Sequence, residues 1–152
     1  LQARFKKTNF ILYGSVDDIW LDTKNNYLIL VDYKSQANEK EVSQETYWEG
    51  DFKTGYQTQL DFYFYLLKQQ KFKETISDDA YLLVVNARGL EDKFDNKLLF
   101  ESTLIHTKVK DDYLENEIQE MIDVFNSHNI PESNKLCKNC AYARQRSIID
   151  KL

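Results

Sequence analysis

The sequence has few of the residues that interrupt a packed core. Its 152 residues include four glycines and one proline, and 42% of them are hydrophobic. This composition excludes collagen-like and disordered chains, which are rich in glycine or proline and poor in apolar residues. The length suits one domain rather than two. We therefore predict a single globular domain.

Long apolar runs are also absent. No stretch approaches the roughly 18 apolar residues of a membrane span, and the opening LQARFKK lacks the apolar core of a signal peptide. We expect a cytoplasmic protein with no membrane association. The chain begins at Leu rather than Met and opens almost directly on a strand pattern, which is compatible with a fragment that lacks its upstream part.

An excess of positive charge is missing as well. The chain has 25 acidic and 20 basic residues, a net charge of -5, so it has no global basic field of the kind that attracts nucleic acid. Basic residues do cluster locally, and a protein that binds nucleic acid needs only one positive face. Each cluster is equally compatible with solvated surface charge. The clusters are Arg4/Lys6/Lys7, Lys68/Lys71/Lys73 and Lys135/Lys138/Arg144/Arg146.

Alternating apolar and polar segments predict an α/β domain. Two apolar runs, residues 9–21 and 27–34, flank turn-forming residues and predict a β-hairpin. The polar residues 35–48 are interpreted as a loop or mobile excursion. Apolar spacing predicts the later elements, and the order β-β-α-β-β-α indicates a mixed sheet. These later elements are helix 52–70, strand 80–86 (buried on both faces), strand 98–106 and helix 111–127.

The hairpin pattern places two aspartates opposite each other. A turn centred between Lys24 and Asn25 pairs residues whose numbers sum to 49, so Asp17 faces Asp32. Lys34 lies on the same side of its strand as Asp32. A slip of one residue would send the apolar pairs to opposite faces. Those pairs are Ile19–Leu30 and Leu21–Leu28.

Two opposed carboxylates on an apolar face repel each other and are costly to desolvate. A divalent cation removes the conflict, and oxygen ligands suit Mg²⁺ or Mn²⁺. Lys34 beside such an ion could orient or help deprotonate a water molecule and stabilise developing negative charge. The alternative is a pair of exposed hairpin acids with a lysine partner across the strand.

Three motifs in this order resemble the RecB-like branch of the PD-(D/E)XK nuclease superfamily. GSVDDI at residues 14–19 resembles its G-x-x-D, VDYKS at residues 31–35 its D-x-K, and QLDFY at residues 59–63 its Q-x-x-x-Y. Each motif is weak alone, whereas together they are specific and cover about residues 10–70. The resemblance implies a restriction-endonuclease-like α/β core, with a mixed central sheet flanked by helices.

The resemblance also implies roles for individual residues. Asp17 and Asp32 would ligate Mg²⁺ or Mn²⁺, with the backbone carbonyl of Tyr33 as a third ligand. Lys34 would be the catalytic lysine. Gln59 and Tyr63, four apart and so on one helical face, would line the cleft; core packing of Tyr63 and a surface position of Gln59 are the alternative.

The G-x-x-D spacing selects Asp17 rather than its neighbour Asp18, which strand alternation places on the opposite face. The family pattern usually adds an acidic or His residue on a helix before the hairpin, and this chain has none. Either an upstream part carried that residue, or the site works with fewer ligands.

The implied function is hydrolysis of DNA phosphodiester bonds by a metal-dependent exonuclease in recombination, repair or phage replication. A recombination or helicase protein would be a natural partner. The nuclease core would span residues 1–130, followed by a tail at 131–152. One alternative is a nuclease-fold module without activity that binds DNA or a protein, and another is an enzyme that acts on RNA or on another phosphate ester.

The tail carries the chain's two cysteines, Cys137 and Cys140. They resemble the Cys-x-x-Cys of the iron–sulfur members of this branch, such as AddB-like and CRISPR-associated exonucleases. We do not expect an iron–sulfur cluster, because it needs four thiolates. Three alternatives remain: an incomplete remnant of such a cluster, an ordinary pair of reduced cysteines, or a metal site completed by His106, His128 or a second chain.

Overall fold

The structure is a computed structural model that describes residues 1–49, 53–88, 96, 98–129 and 131–149. The chain comprises two compact units, Leu1–Leu114 and Glu115–Leu152.

Two β-sheets form the framework of the first unit. β1 (Gln2–Arg4) and β2 (Ile11–Tyr13) make a short antiparallel pair. The larger sheet has the order β3-β4-β5-β6, in which β4 and β5 are parallel and both outer pairs are antiparallel. The predicted mixed sheet is therefore confirmed. Its strands are β3 (Asp18–Asp22), β4 (Tyr27–Ala37), β5 (Thr75–Arg88) and β6 (Leu99–Lys108).

The predicted hairpin is formed by β3 and β4 in the predicted register. Ile19 lies opposite Leu30, and every other pair of residue numbers also sums to 49. Asp22 closes the turn, because its Oδ1 accepts hydrogen bonds from the backbone N–H groups of Lys24 and Asn25 at 2.9 and 3.2 Å. Such side-chain bonds to the backbone favour turns over extended strand.

The prediction of one continuous strand over residues 9–21 is wrong. β2 and β3 are separate strands in different sheets. Gly14 ends the first sheet, since its N–H donates to the Leu1 carbonyl at 3.0 Å and its own carbonyl accepts from the Leu1 amino group at 2.6 Å. Asp17 consequently lies just before β3 rather than within it.

Helix α1 (Lys53–Lys68) connects the parallel strands β4 and β5 and packs on one face of the sheet. Parallel neighbours need a crossover of this kind. On β5, Leu82 and Val84 are fully buried, whereas their neighbours on the other face are half-buried. The expectation that this strand is buried on both faces is therefore correct for one face only. The core residues are Leu30, Leu60, Tyr63, Phe64, Leu67, Ala80, Leu82, Val84 and Ile105.

The remaining predicted elements of this unit are confirmed with shifted ends. The helix predicted over residues 52–70 is α1, although residue 52 lies outside the described residues. The strand predicted over residues 80–86 is the centre of β5, and the strand predicted over 98–106 is β6.

The polar segment after Lys34 is partly strand and partly an anchored loop. β4 continues to Ala37, and a short 3-10 helix follows at Tyr47–Glu49. Asn86, which is 1% exposed, accepts from the Asn38 N–H and donates to the Asn38 carbonyl, both at 3.0 Å. These bonds hold the start of the loop against β5.

The predicted helix over residues 111–127 is α2 (Leu114–Asn126). Its buried residues, Leu114, Ile118 and Ile122, are spaced by four and share one face. Part of the predicted tail is also helical, as α3 (Lys138–Ile149), whose described residues are all at least partly exposed. Among the described residues, no helix is long and apolar enough to cross a membrane.

A buried carboxylate joins α1 to the segment after β6. Asp61 is 1% exposed. Its Oδ1 accepts hydrogen bonds from Gln57 Nε2 at 2.9 Å and from the Lys110 N–H at 3.0 Å, and its Oδ2 accepts one from the Tyr113 hydroxyl at 2.8 Å. Three donors compensate for the burial of this charge.

We predict that Asp61→Ala lowers the free energy of unfolding by about 3 kcal/mol, because it leaves buried donors without an acceptor. The isosteric Asp61→Asn keeps one acceptor oxygen and should lose less than half as much. Urea unfolding of the two variants beside the wild type measures the difference. Equal stability of Asp61→Ala and wild type would contradict this account.

Gly14 is buried against α1. A Cβ atom at this position would lie 2.9 Å from Tyr63 Cε1 and 2.9 Å from Leu66 Cδ1, closer than packed carbon atoms approach. Because Leu66 is fully buried, it has little room to move away. The absence of a side chain at Gly14 therefore permits the close approach of the hairpin segment to α1.

Gly14→Ala and Gly55→Ala should have opposite effects on stability. The first overpacks the core and should cost about 1–3 kcal/mol. The second adds a methyl group to a helical position with no atom within 4 Å of the new Cβ, so it should stabilise by up to about 1 kcal/mol. Urea unfolding tests both, and a loss of stability in Gly55→Ala that matches Gly14→Ala would refute the packing argument.

Candidate active site

β4 carries two of the candidate residues on the face that packs against α1. Side chains alternate along a strand, so Asp32 and Lys34 share the face of the core residue Leu30. Asp32 is 2% exposed, and the side chain of Lys34 is 18% exposed. A charged pair thus stands where the apolar core ends.

Asp17 reaches the same place from the end of β3. Its Oδ2 accepts a hydrogen bond from the Tyr33 N–H at 2.8 Å. Burial raises the pKa of Asp32 above its ordinary value, the Lys34 ammonium opposes this rise, and the charge of Asp17 adds to it. The charges of the two carboxylates therefore act on each other, although the β3–β4 pairs end at Asp18–Val31 and Asp17 itself lies outside the ladder.

Lys34 is positioned from three sides. Its Nζ lies 2.5 Å from Asp32 Oδ2, donates to Gln59 Oε1 at 2.8 Å, and lies 4.6 Å from the centroid of the Tyr56 ring. An ammonium group has three N–H donors. Asp32 and Gln59 occupy two of them, which leaves one for water or a phosphate oxygen.

Gln59 and Tyr63 lie on the face of α1 that meets the hairpin. Gln59 Nε2 donates to the Tyr63 hydroxyl at 2.8 Å, as residues four apart on a helix can. Gln59 is half-buried and bonded to Lys34, so the alternative of a free surface amide is wrong. Tyr63 is 9% exposed and belongs to the core as well as to this chain of hydrogen bonds.

Asp18 belongs to a separate group on the opposite face of the sheet, as strand alternation predicts. It accepts hydrogen bonds from the Tyr33 hydroxyl at 2.6 Å and from Trp20 Nε1 at 3.0 Å. These bonds, that of Tyr33 first, lower the pKa of Asp18. The adjacent acids Asp17 and Asp18 therefore have different surroundings.

Sequence reasoning missed three residues around Lys34. The ring of Tyr56 contacts Lys34 and also lies 5.4 Å from the Nζ of Lys53, while the ring of Tyr47 lies 3.6 Å from that same Nζ. Tyr56 precedes Gln59 by three residues, a helical spacing that could have identified it. No local pattern brings Tyr47 into the site.

The carboxylates fit a divalent ion that has few protein ligands. Asp32 Oδ2 forms an ion pair with the Lys34 ammonium and has no other hydrogen-bond partner among the residues that the structure describes. A buried oxygen of this kind suits a metal ligand. In the same part of the chain no three His, Cys, Asp or Glu side chains come together, so a metal here would depend on backbone and water oxygens as well.

The backbone at Tyr33 offers such an oxygen. In an antiparallel pair the N–H and C=O of one residue point to the same neighbouring strand. Since the Tyr33 N–H bonds to Asp17 on the β3 side, its carbonyl faces that side too, beyond the last β3–β4 pair, Asp18–Val31.

Cys137, Cys140 and His128 belong to the second unit, whereas His106 lies in β6 of the first. Cys137 and Cys140 are free thiols at the start of α3, where the Cys140 N–H donates to Cys137 Sγ at 3.4 Å. Hydrogen bonds from Cys140 lower the pKa of Cys137. His106 Nε2 lies 2.6 Å from Asp79 Oδ1, and His128 is exposed. Within the described ranges neither histidine joins the cysteines in a metal-binding group.

Comparison with known families gives a match over nearly the whole chain. The model of the PD-(D/E)XK nuclease superfamily matches residues 2–145. Searches of curated proteins and of solved structures gave no significant match. The mixed sheet, its crossover helix and the acidic hairpin with its lysine agree with this family. The chain belongs to the PD-(D/E)XK nuclease superfamily.

Proposed function

We propose that this chain is a Mg²⁺- or Mn²⁺-dependent deoxyribonuclease of the RecB-like branch. The observation that carries the proposal is the convergence of Asp17, Asp32 and Lys34, in which two carboxylates interact beside one positioned ammonium group. The chain belongs to a superfamily of nucleases, which indicates the reaction class, and metal-assisted phosphodiester hydrolysis uses a site of this kind.

Asp17, Asp32 and the Tyr33 carbonyl would hold the ion. The chemistry that such an ion supplies when bound is polarisation of a phosphate oxygen and a nucleophilic water at neutral pH. Binding of the ion would also stabilise the two carboxylates, because a cation removes the repulsion between them. The burial of Asp32 further strengthens the attraction, since water screens it poorly there.

Lys34 would donate its remaining N–H to the phosphate or to the attacking water. Its positive charge would stabilise the negative charge that develops on the phosphate during in-line attack. Gln59 holds the ammonium group in place and Tyr63 holds Gln59, so we assign both as positioning residues at the edge of the cleft. Fixed geometry of this kind contributes strongly to rate.

The family resemblance alone supports three further parts of the proposal: the exonuclease mode, the setting in recombination, repair or phage replication, and a recombination or helicase partner. The cytoplasmic location and the division into a core at residues 1–130 and a tail at 131–152 are expectations from the sequence. Of the local basic clusters, Lys68 is already paired with Asp111 at 2.8 Å, which reduces its availability for DNA.

We expect Lys34→Met and Asp32→Asn each to lower the rate of DNA cleavage by at least about 100-fold, because each removes a charge that acts on the phosphate or its metal. EDTA should abolish cleavage. Assays on linear and plasmid DNA with Mg²⁺ or Mn²⁺ measure the loss and separate exonuclease from endonuclease action.

The adjacent acids provide the matched control. Asp17→Asn should match Asp32→Asn, whereas Asp18→Asn should keep activity within a few-fold of wild type, since Asp18 faces the other side of the sheet. Cleavage that is indifferent to EDTA and to Lys34→Met would end the proposal. Binding of DNA without cleavage by wild type would favour the inactive nuclease-fold module.

Metal binding should also be visible as stability. We expect Mn²⁺ at ten times its dissociation constant to raise the free energy of unfolding of wild type by about 1.4 kcal/mol. Asp32→Asn should lose this increase and, in EDTA, should be no less stable than wild type, because burial disfavours the charged form of Asp32 more than Lys34 compensates for it, as its raised pKa indicates. Thermal unfolding with and without Mn²⁺ tests both statements, and an equal increase in the variant would argue against Asp32 as a ligand.

A further inference from the structure

A cavity of about 560 Å³ lies next to the candidate active site. Its walls come from the end of β4, the loop after it and the start of α1, including Gln36 and Lys53. The buried part of the wall is Tyr47 and Val42, which are 5% and 8% exposed, and the exposed rim includes Glu49. This volume is within the range of small-ligand sites.

Tyr47 provides part of the wall of this cavity. Its hydroxyl is buried and has no hydrogen-bond partner among the described residues. Burial raises the pKa of Tyr47 to about 12, and the charges of Tyr56 and Asp32 add to this rise. Lys53 links Tyr47 to the active site, because its Nζ lies 3.6 Å from the centroid of the Tyr47 ring and 5.4 Å from that of the Tyr56 ring. A buried donor without a partner costs free energy that a ligand oxygen would recover.

Lys53 offers a cation at the same end of the cavity. Its Nζ lies over the Tyr47 ring and 3.5 Å from Gln36 Oε1. Within the described part of the chain no carboxylate forms an ion pair with it, whereas Lys34 is paired with Asp32. Two ammonium groups thus lie within 5.4 Å of the centroid of the Tyr56 ring. Among the described residues, Lys53 is therefore a cation without an ion-pair partner at the inner end of the cavity, whereas Glu41 and Glu49 lie on its exposed rim.

We propose that this cavity binds the phosphodiester group next to the one that is cleaved, with Lys53 Nζ and Tyr47 Oη donating to its oxygen atoms. The inference rests on the proposed function, because it gives the neighbouring linkage of the same DNA strand a site. A phosphodiester fits better than a neutral ligand, because it supplies a negatively charged partner for the Lys53 ammonium group and a hydrogen-bond acceptor for the Tyr47 hydroxyl.

The test is binding of a fluorescent single-stranded oligonucleotide in EDTA, measured by anisotropy. A single neutral methylphosphonate linkage is moved along the strand. We expect one linkage at which neutralisation weakens binding to wild type by about tenfold, as for loss of a charged hydrogen bond. In Lys53→Met that penalty should disappear, and the slope of log Kd against log salt should fall by about 0.7.

Two further variants separate binding from folding. Tyr47→Phe removes only the unpartnered hydroxyl, so it should bind the strand more weakly while unfolding no more easily than wild type. Lys24→Met removes an exposed lysine at the β3–β4 turn, at the opposite end of the hairpin, and should keep the penalty at the same linkage.

Each of three outcomes would overturn the inference. These are a penalty of equal size in wild type and Lys53→Met, an affinity of Tyr47→Phe equal to that of wild type, and no binding by wild type. The measurement needs no cleavage, so its outcome is distinguishable from that of the nuclease assay. A wild type that shows the Lys53-dependent penalty but cleaves no DNA with Mg²⁺ would reject the proposed function and retain the phosphate site.

Discussion

The buried carboxylate of Asp32 is the constraint to which the surrounding residues are fitted. A charge that is 2% exposed destabilises a fold unless other groups compensate for it. Lys34 provides part of that compensation from the same strand, while Asp17 brings a second negative charge from the residue just before β3. Folding stability alone does not account for the second carboxylate, and this excess of negative charge is the physical basis for proposing a metal.

The positions of these groups depend on how the hairpin meets α1. A chain of contacts runs from Lys34 through Gln59 to Tyr63, and Tyr63 in turn packs where Gly14 has no side chain. The glycine of one motif therefore accommodates the tyrosine of another. Side chains held by packing and by hydrogen bonds keep a reactive group within the narrow geometry that catalysis requires.

A net negative chain and a site for DNA are compatible because charge acts locally. At physiological ionic strength, interactions between exposed charges fade beyond about 8 Å. The charges that would act on a phosphate are therefore those beside it. Lys34 and Lys53 provide positive charge at the junction of β4 and α1, where burial weakens the screening, whereas the exposed acids elsewhere contribute little.

The sequence by itself determined the hairpin register, and with it the meeting of Asp17 and Asp32, because strand alternation and turn chemistry are local properties of the backbone. Helical spacing likewise determined that Gln59 and Tyr63 share a face. Only the tertiary structure decided that the first apolar run divides at Gly14, that α3 is a helix without an apolar stripe, and that Tyr47 and Lys53 adjoin the site. Those features depend on packing between segments distant in sequence, which no local period encodes.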